Sequence, residues 1–192
     1  MSFKTLFFGD SNTVGEGLSD APVERWASRV ARAQDHVEIN EGQGGRPASA
    51  LADFERALAA HKSDAMIVRL VIALGGNDAR DDAPDIAAQV KTNVGRMIHL
   101  AGQEKPAWKI VICSPSNINR EHLQRKEIAD LREKNLLAIR SALRELAGDK
   151  GCPFVDFLGV LPPTSLTADG VHPDAAGHAA LAAAFLTAAP LP

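Results

Sequence analysis

The stretch from Ala65 to Leu74 packs Met66, Ile67, Val68, Leu70, Val71 and Ile72 into one short run and then stops at Gly75-Gly76. A run this short, rich in β-branched residues and closed by a turn signal, reads as a strand buried on both faces. Such a strand has no side to offer water, so it needs helices above and below it. The rest of the chain supplies them in alternation. Further strands are expected at Phe3 to Phe8, His36 to Ile39, Trp108 to Cys113 and Phe154 to Phe157. Apolar residues recur at helical spacing along Val23 to Ala33, Ala48 to His61, Asp85 to Ala101, Arg120 to Ala147 and Pro173 to Ala188. Alternation of this kind predicts an α/β protein with a parallel sheet covered on both faces by crossovers of one hand. With no repeat or linker to interrupt it, and 45% hydrophobic content, the whole of residues 1–192 is expected to form a single domain.

Charge and cysteine usage narrow the function. The formal net charge is -3, and lysines and arginines lie scattered among acids, so no nucleic-acid partner is expected. No apolar run is long enough to cross a bilayer, and the one near the N-terminus is too short for a secretion signal. A cytoplasmic protein without a membrane partner is therefore expected. Cys113 and Cys152 sit in apolar surroundings without a CxxC pair, which predicts two buried, reduced thiols. The acidic run Asp78, Asp81, Asp82 and Asp85 lacks a liganding histidine and reads as a solvated loop. Gly15-Glu16-Gly17 lacks the third glycine of a dinucleotide fingerprint, so neither metal nor cofactor is expected.

The chemistry lies near the two ends. Gly9-Asp10-Ser11-Asn12-Thr13 follows the first strand, and Asp169-Gly170-Val171-His172-Pro173 follows the fifth. A serine alcohol is a weak nucleophile at neutral pH; it needs an imidazole to take its proton and a carboxylate to orient that imidazole. Asn40-Glu41-Gly42-Gln43-Gly44-Gly45 and Gly75-Gly76-Asn77-Asp78 are tight turns after the second and third strands. In an open parallel sheet the binding crevice lies beyond the carboxyl ends of the strands, which gathers all four segments on one edge. Ser11 is then expected to attack an acyl carbonyl, His172 to accept and return the proton, and Asp169 to hold the imidazole. The Ser11 and Gly45 N–H groups and the Asn77 amide are expected to serve as oxyanion donors. Activity should fall in acid as His172 becomes protonated. Asp10 and Asp78 are read as fixing local turns, His178 as packing, and His36, His61, His99 and His122 as surface or structural.

These four blocks, in this order and spanning nearly the whole chain, resemble those of the SGNH hydrolases, also called the GDSL esterase/lipase family. The resemblance implies a flavodoxin-like three-layer α/β/α sandwich with five parallel strands, and serine ester or thioester hydrolysis without a metal. It places the family's nucleophile on Ser11, its oxyanion glycine and asparagine on Gly45 and Asn77, and its acid–histidine pair on Asp169 and His172. Asn12 stands where leucine gives the family one of its names, and Arg46-Pro47 after the oxyanion glycine departs from the usual pattern.

The short loops Val14 to Pro22, Ala79 to Pro84, Pro115 to Asn119 and Leu158 to Ala168 leave little material for a lid, so the expected partner is a small-molecule acyl ester held in a small or open pocket. Sugar deacetylation, aryl-ester cleavage, thioester hydrolysis and acyl transfer use the same machinery and are not separated by sequence. A different reading is a non-catalytic flavodoxin-like module holding a nucleotide or phosphorylated ligand, for which Ser11-Asn12-Thr13 followed by Gly15 is a thin phosphate cradle.

Overall fold

The computed structural model describes residues 2–190; residue 1 and residues 191–192, the extremes of the expected domain span, lie outside it. Five parallel strands form one sheet: β1 (Lys4–Gly9), β2 (Val37–Gly42), β3 (Ile67–Ala73), β4 (Lys109–Cys113) and β5 (Phe154–Val155), in the order β2-β1-β3-β4-β5. The inner strands β1 and β3 are almost wholly buried, whereas β2, paired only with β1, is half-buried along most of its length. That is why Phe3 to Phe8 and Ala65 to Leu74 read as continuous apolar runs and the second strand does not.

Side chains alternate between the two faces of the sheet. Leu6, Phe8, Leu70, Ile72 and Ile112 face α4 (Leu51–His61), α5 (Ile86–Glu104) and α6 (Ala129–Lys150). Phe7, Val71, Val111, Cys113 and Val155 face α3 (Trp26–Ala33) and α7 (Ala175–Ala188). The result is the expected three-layer α/β/α sandwich. Trp26 anchors the second face, its ring centroid 5.3 Å from that of Phe7 and 5.2 Å from that of Phe157, both edge-on. Among the described residues no helix is long and apolar enough to cross a membrane.

The chain departs from the expected elements in several places. β2 continues through Asn40, Glu41 and Gly42, which pair with Phe7, Phe8 and Gly9, so the turn is confined to Gln43 to Gly45. β5 is only two residues long. The helix expected from Val23 breaks at Arg25, whose extended backbone (ψ 148°) separates α2 (Ala21–Glu24) from α3. Arg25 is drawn instead to Glu38 on β2, with Nε 2.8 Å from Oε1 and Nη2 3.1 Å from Oε2. The charged helix expected from Arg120 begins only at Ala129, after two single-turn 3₁₀ segments at Arg120–His122 and Lys126–Ile128. This irregular stretch is held by Asn119, whose N–H donates to Gly170 and whose side chain accepts from the Glu121 N–H. Cys113 is buried as expected, but Cys152 is half-buried.

Candidate active site

β1 ends at Gly9, at the point where the sheet order reverses between β1 and β3, and the chain turns at once into α1 (Ser11–Val14). Asp10 caps this single turn by accepting from the Asn12 N–H at 3.0 Å, which fits its expected local role. Ser11 is thereby the first helical residue, and its own N–H lacks an intrahelical partner. Burial pushes the Asp10 carboxyl up to about 6 despite that bond from Asn12, with a smaller contribution from the Asp78 charge.

The opposite wall of the crevice is the loop between β5 and α7. It is closed by a bridge between Leu166 and Pro173 and by the Thr167 N–H donating to the His172 carbonyl at 2.7 Å. Gly170 sits at φ +70°, and a Cβ there would lie 2.3 Å from the Asn119 carbonyl oxygen. Only glycine lets the loop fold this tightly against its neighbour. The loop carries His172 to Ser11: His172 Nε2 lies 2.9 Å from Ser11 Oγ, and Nδ1 lies 2.6 Å from Asp169 Oδ2. The other carboxylate oxygen accepts from the Val171 N–H at 2.8 Å, the His172 N–H at 3.0 Å and the Thr167 hydroxyl at 2.8 Å. Partial burial would raise the Asp169 carboxyl, but the His172 ring and these donors outweigh it and hold the group well below the usual carboxylate range. An ionised Asp169 fixes the proton on His172 Nδ1 and leaves Nε2 free to accept from Ser11.

Gly45 and Asn77 line the same cavity as Ser11, Asp169 and His172, an open space of about 340 Å³. Gly45 has φ +73°, and nothing lies within 4 Å of where its Cβ would be. Glycine here answers a backbone requirement and leaves the cavity side open. The loop is organised by Arg46, whose guanidinium is buried and donates to the Gly9 carbonyl at 2.8 Å, to the Glu41 carbonyl and to Gln43 Oε1 at 3.0 Å, lying 4.2 Å over the Phe8 ring. The unusual Arg46-Pro47 step therefore braces the turn from behind.

Asn77 donates from Nδ2 to the Arg46 carbonyl at 3.2 Å, and its Oδ1 accepts from Arg80 Nη2 at 2.7 Å. The amide is thus pinned at both ends, with one Nδ2 hydrogen left over. Asp78 does not fix a local turn as expected; both its carboxylate oxygens accept from the Ala48 N–H, at 3.1 and 3.0 Å, tying the β3 exit to the start of the α4 segment. His178 is fully buried and does more than pack: its Nδ1 accepts from the Trp26 N–H at 3.2 Å and so caps α3. Beneath Ser11 a second cavity of about 40 Å³ is lined by Asp10, Asn12 and Ser116, with Asn12 Nδ2 3.2 Å from Ser116 Oγ.

Three residues around the site carried no expected role. Thr167 steadies Asp169, Arg80 orients Asn77, and Arg132 of α6 lies buried in the cavity wall. Arg132 had a signal: it lies four residues after Ile128 and four before Leu136, a charge set into the apolar stripe of its helix.

The sequence pattern of the GDSL-like lipase/acylhydrolase family matches residues 7–180. A search of curated proteins finds no match. Among solved structures, a carbohydrate acetylesterase family member from Sinorhizobium meliloti is 24% identical, with 95% of each chain covered and a TM-score of 0.76. An acetylxylan esterase from Geobacillus stearothermophilus is 23% identical over 100% of this chain and 97% of that one, with a TM-score of 0.74. Catalytic mutants of that esterase replace a serine, an aspartate and a histidine with alanine. A lipolytic protein of the G-D-S-L family from Veillonella parvula is 19% identical, covers 97% of both chains and has a TM-score of 0.79.

Proposed function

Because the chain belongs to the GDSL-like lipase/acylhydrolase family and is a carboxylic ester hydrolase, we propose that it cleaves small acyl esters with Ser11 as nucleophile, His172 as general base and Asp169 as the group that orients and charges against His172. The observation that carries this reading is the unbroken run of short contacts from Asp169 through His172 to Ser11, at 2.6 and 2.9 Å. In the first half-reaction Ser11 Oγ adds to the ester carbonyl as its proton passes to His172 Nε2. The tetrahedral oxyanion is met by the N–H groups of Ser11 and Gly45 and the spare Nδ2 hydrogen of Asn77. Collapse expels the alcohol, which takes the proton back from His172. Water then enters and adds to the acyl carbonyl as one of its protons passes to His172 Nε2; collapse breaks the bond to Ser11 Oγ, which takes that proton back from His172 as the acid leaves.

Acetyl groups on carbohydrate are the first substrates to examine, since the Sinorhizobium protein is a carbohydrate acetylesterase family member and the Geobacillus protein an acetylxylan esterase. The open cavity suits a small acyl group on a larger alcohol, and the machinery serves equally for thioesters or for acyl transfer. We place the activity in one catalytic domain spanning residues 1–192 and in the cytoplasm, in keeping with two unpaired cysteines. The test is turnover of p-nitrophenyl acetate together with labelling by a fluorophosphonate probe. Both should vanish in Ser11→Ala; a Ser11→Ala protein that still turns over the ester would rule the mechanism out.

A further inference from the structure

The cavity beside Ser11 is walled on one side by three arginines, Arg80, Arg125 and Arg132. Arg132 is the unusual one. It is only 6% exposed and, among the described residues, its Nε has no hydrogen-bond partner and its one side-chain hydrogen bond is a long one from Nη2 to the Gly76 carbonyl at 3.5 Å. Among the described residues it forms no ion pair. Asp10 and Asp169 lend it Coulombic support from farther away, but Asp169 is already committed to His172 and Thr167. Burial, reinforced by the nearby Arg80 charge, lowers the guanidinium to about 10, so it remains charged at neutral pH. A buried cation without a partner is expensive to keep, and an arginine fork presents donors suited to a carboxylate or similar oxygen anion.

The neighbouring groups reinforce the sign of this wall. Arg80 spends Nε and Nη2 on Asn77 and pairs with no carboxylate among the described residues. Arg125 pairs at the surface with Glu127, at 3.0 Å, where both side chains are about two-thirds exposed and the pair is weak. Two acids share the cavity lining: Asp169, already bound to His172, and Glu16, more than half exposed and 3.9 Å from His172 Nε2. Asp81 and Asp82 line the adjoining open groove, where Asp81 Oδ1 is occupied by the Ala83 N–H.

We propose that the ester taken by this site carries an anionic oxygen group, away from the scissile bond, which seats against Arg132 with Arg125 at the cavity mouth. The inference rests on the Ser11 esterase reading and adds the substrate class. The anion could belong to the acyl part or to the alcohol part; both present the same chemistry to Arg132.

The experiment compares kcat/KM for p-nitrophenyl hemisuccinate with p-nitrophenyl butyrate, and for 4-acetoxybenzoate with its methyl ester, in the wild type and in Arg132→Met, Arg125→Gln and Lys109→Gln. Lys109 lies at the far end of β4 and serves as a charge control. The wild type should prefer one anionic ester over its neutral partner by roughly tenfold or more, as expected for a short-range charge contact in partly desolvated surroundings. Which pair shows it identifies the side of the scissile bond that carries the charge. That preference should shrink at high salt, collapse in Arg132→Met, weaken in Arg125→Gln and persist in Lys109→Gln. Should Arg132→Met fail to fold, the salt dependence and Arg125→Gln decide the matter. Turnover of the neutral esters with no preference in either pair would overturn the anion site and leave the esterase standing; no turnover or probe labelling at all would remove both.

Discussion

The Thr167 hydroxyl donates to Asp169 Oδ1 at 2.8 Å, on the carboxylate oxygen that His172 Nδ1 does not use. Asp169 is therefore held by separate sets of donors, and its charge and direction are both fixed before substrate arrives. In the proposed mechanism Asp169→Asn keeps the shape but forces the wrong imidazole tautomer, so kcat should fall on the order of 10⁴-fold. Thr167→Val removes one bond to a charged group and should cost roughly tenfold in kcat with KM little changed. Steady-state kinetics on p-nitrophenyl acetate would measure both; a Thr167→Val enzyme with wild-type kcat would mean that the hydroxyl only supports the loop.

Asn77 and Arg80 should behave as one unit toward a neutral ester, because Arg80 Nη2 holds Asn77 Oδ1 and so turns the amide nitrogen toward the cavity. If Asn77 is an oxyanion donor, as proposed, Asn77→Ala should lower kcat by about 10²–10³-fold. Arg80→Ala leaves the donor in place but unsteady and should cost less. The double variant should be no slower than Asn77→Ala alone, since Arg80 then has nothing to orient. Additive losses in that cycle would show that Arg80 acts on a neutral substrate by another route.

The sheet and the residues at its carboxyl edge were legible in the sequence because each depends on a local signal. Apolar runs mark β1 and β3, and Ser11, Gly45, Asn77 and the Asp169–His172 pair each follow a strand end or a turn of recognisable chemistry. What escaped depends on partners far along the chain. Arg25 breaks a helix because Glu38 on β2 draws it out, and Asp78 leaves its own turn for the Ala48 N–H thirty residues away. Residues 120–128 carry helical periodicity, yet the Asn119 contacts to Gly170 and Glu121 hold the chain in single turns that wall the cavity. Such tertiary overrides leave no mark on spacing.

Asp10 should make the protein less stable as pH rises. Its carboxyl stands near 6 in the fold, against an ordinary 3.8, because burial disfavours the charge. A group raised by folding stabilises fully below its unfolded value and loses that contribution as pH climbs through its folded value, here between about 3.8 and 6. Asp10→Asn can still accept from the Asn12 N–H but carries no charge. It should therefore be more stable than the wild type at pH 8, by up to on the order of 3 kcal/mol, and lack that advantage at pH 4. Urea unfolding at the two pH values gives the comparison, and an equal difference at both would place the effect elsewhere than the carboxyl charge.

His178 should act in the opposite direction and set part of the acid limit of the fold. The ring is fully buried under α3 and its Nδ1 accepts from the Trp26 N–H, an arrangement open only to a ring with that nitrogen unprotonated. Burial first, and the Arg29 charge after it, lower the group to about 4 from 6.5. A histidine lowered by folding contributes stability above its unfolded value and loses it as pH falls toward its folded value, so the loss should run from about 6.5 down to about 4. The amount is on the order of 3 kcal/mol, enough to be a large share of a domain's margin. His178→Gln can still accept from Trp26 but cannot charge in this range. It should lose some stability at pH 7 through poorer packing and show a flatter decline between pH 6.5 and pH 4 than the wild type. Parallel acid limbs for the two proteins would mean that protonation of His178 does not drive the loss.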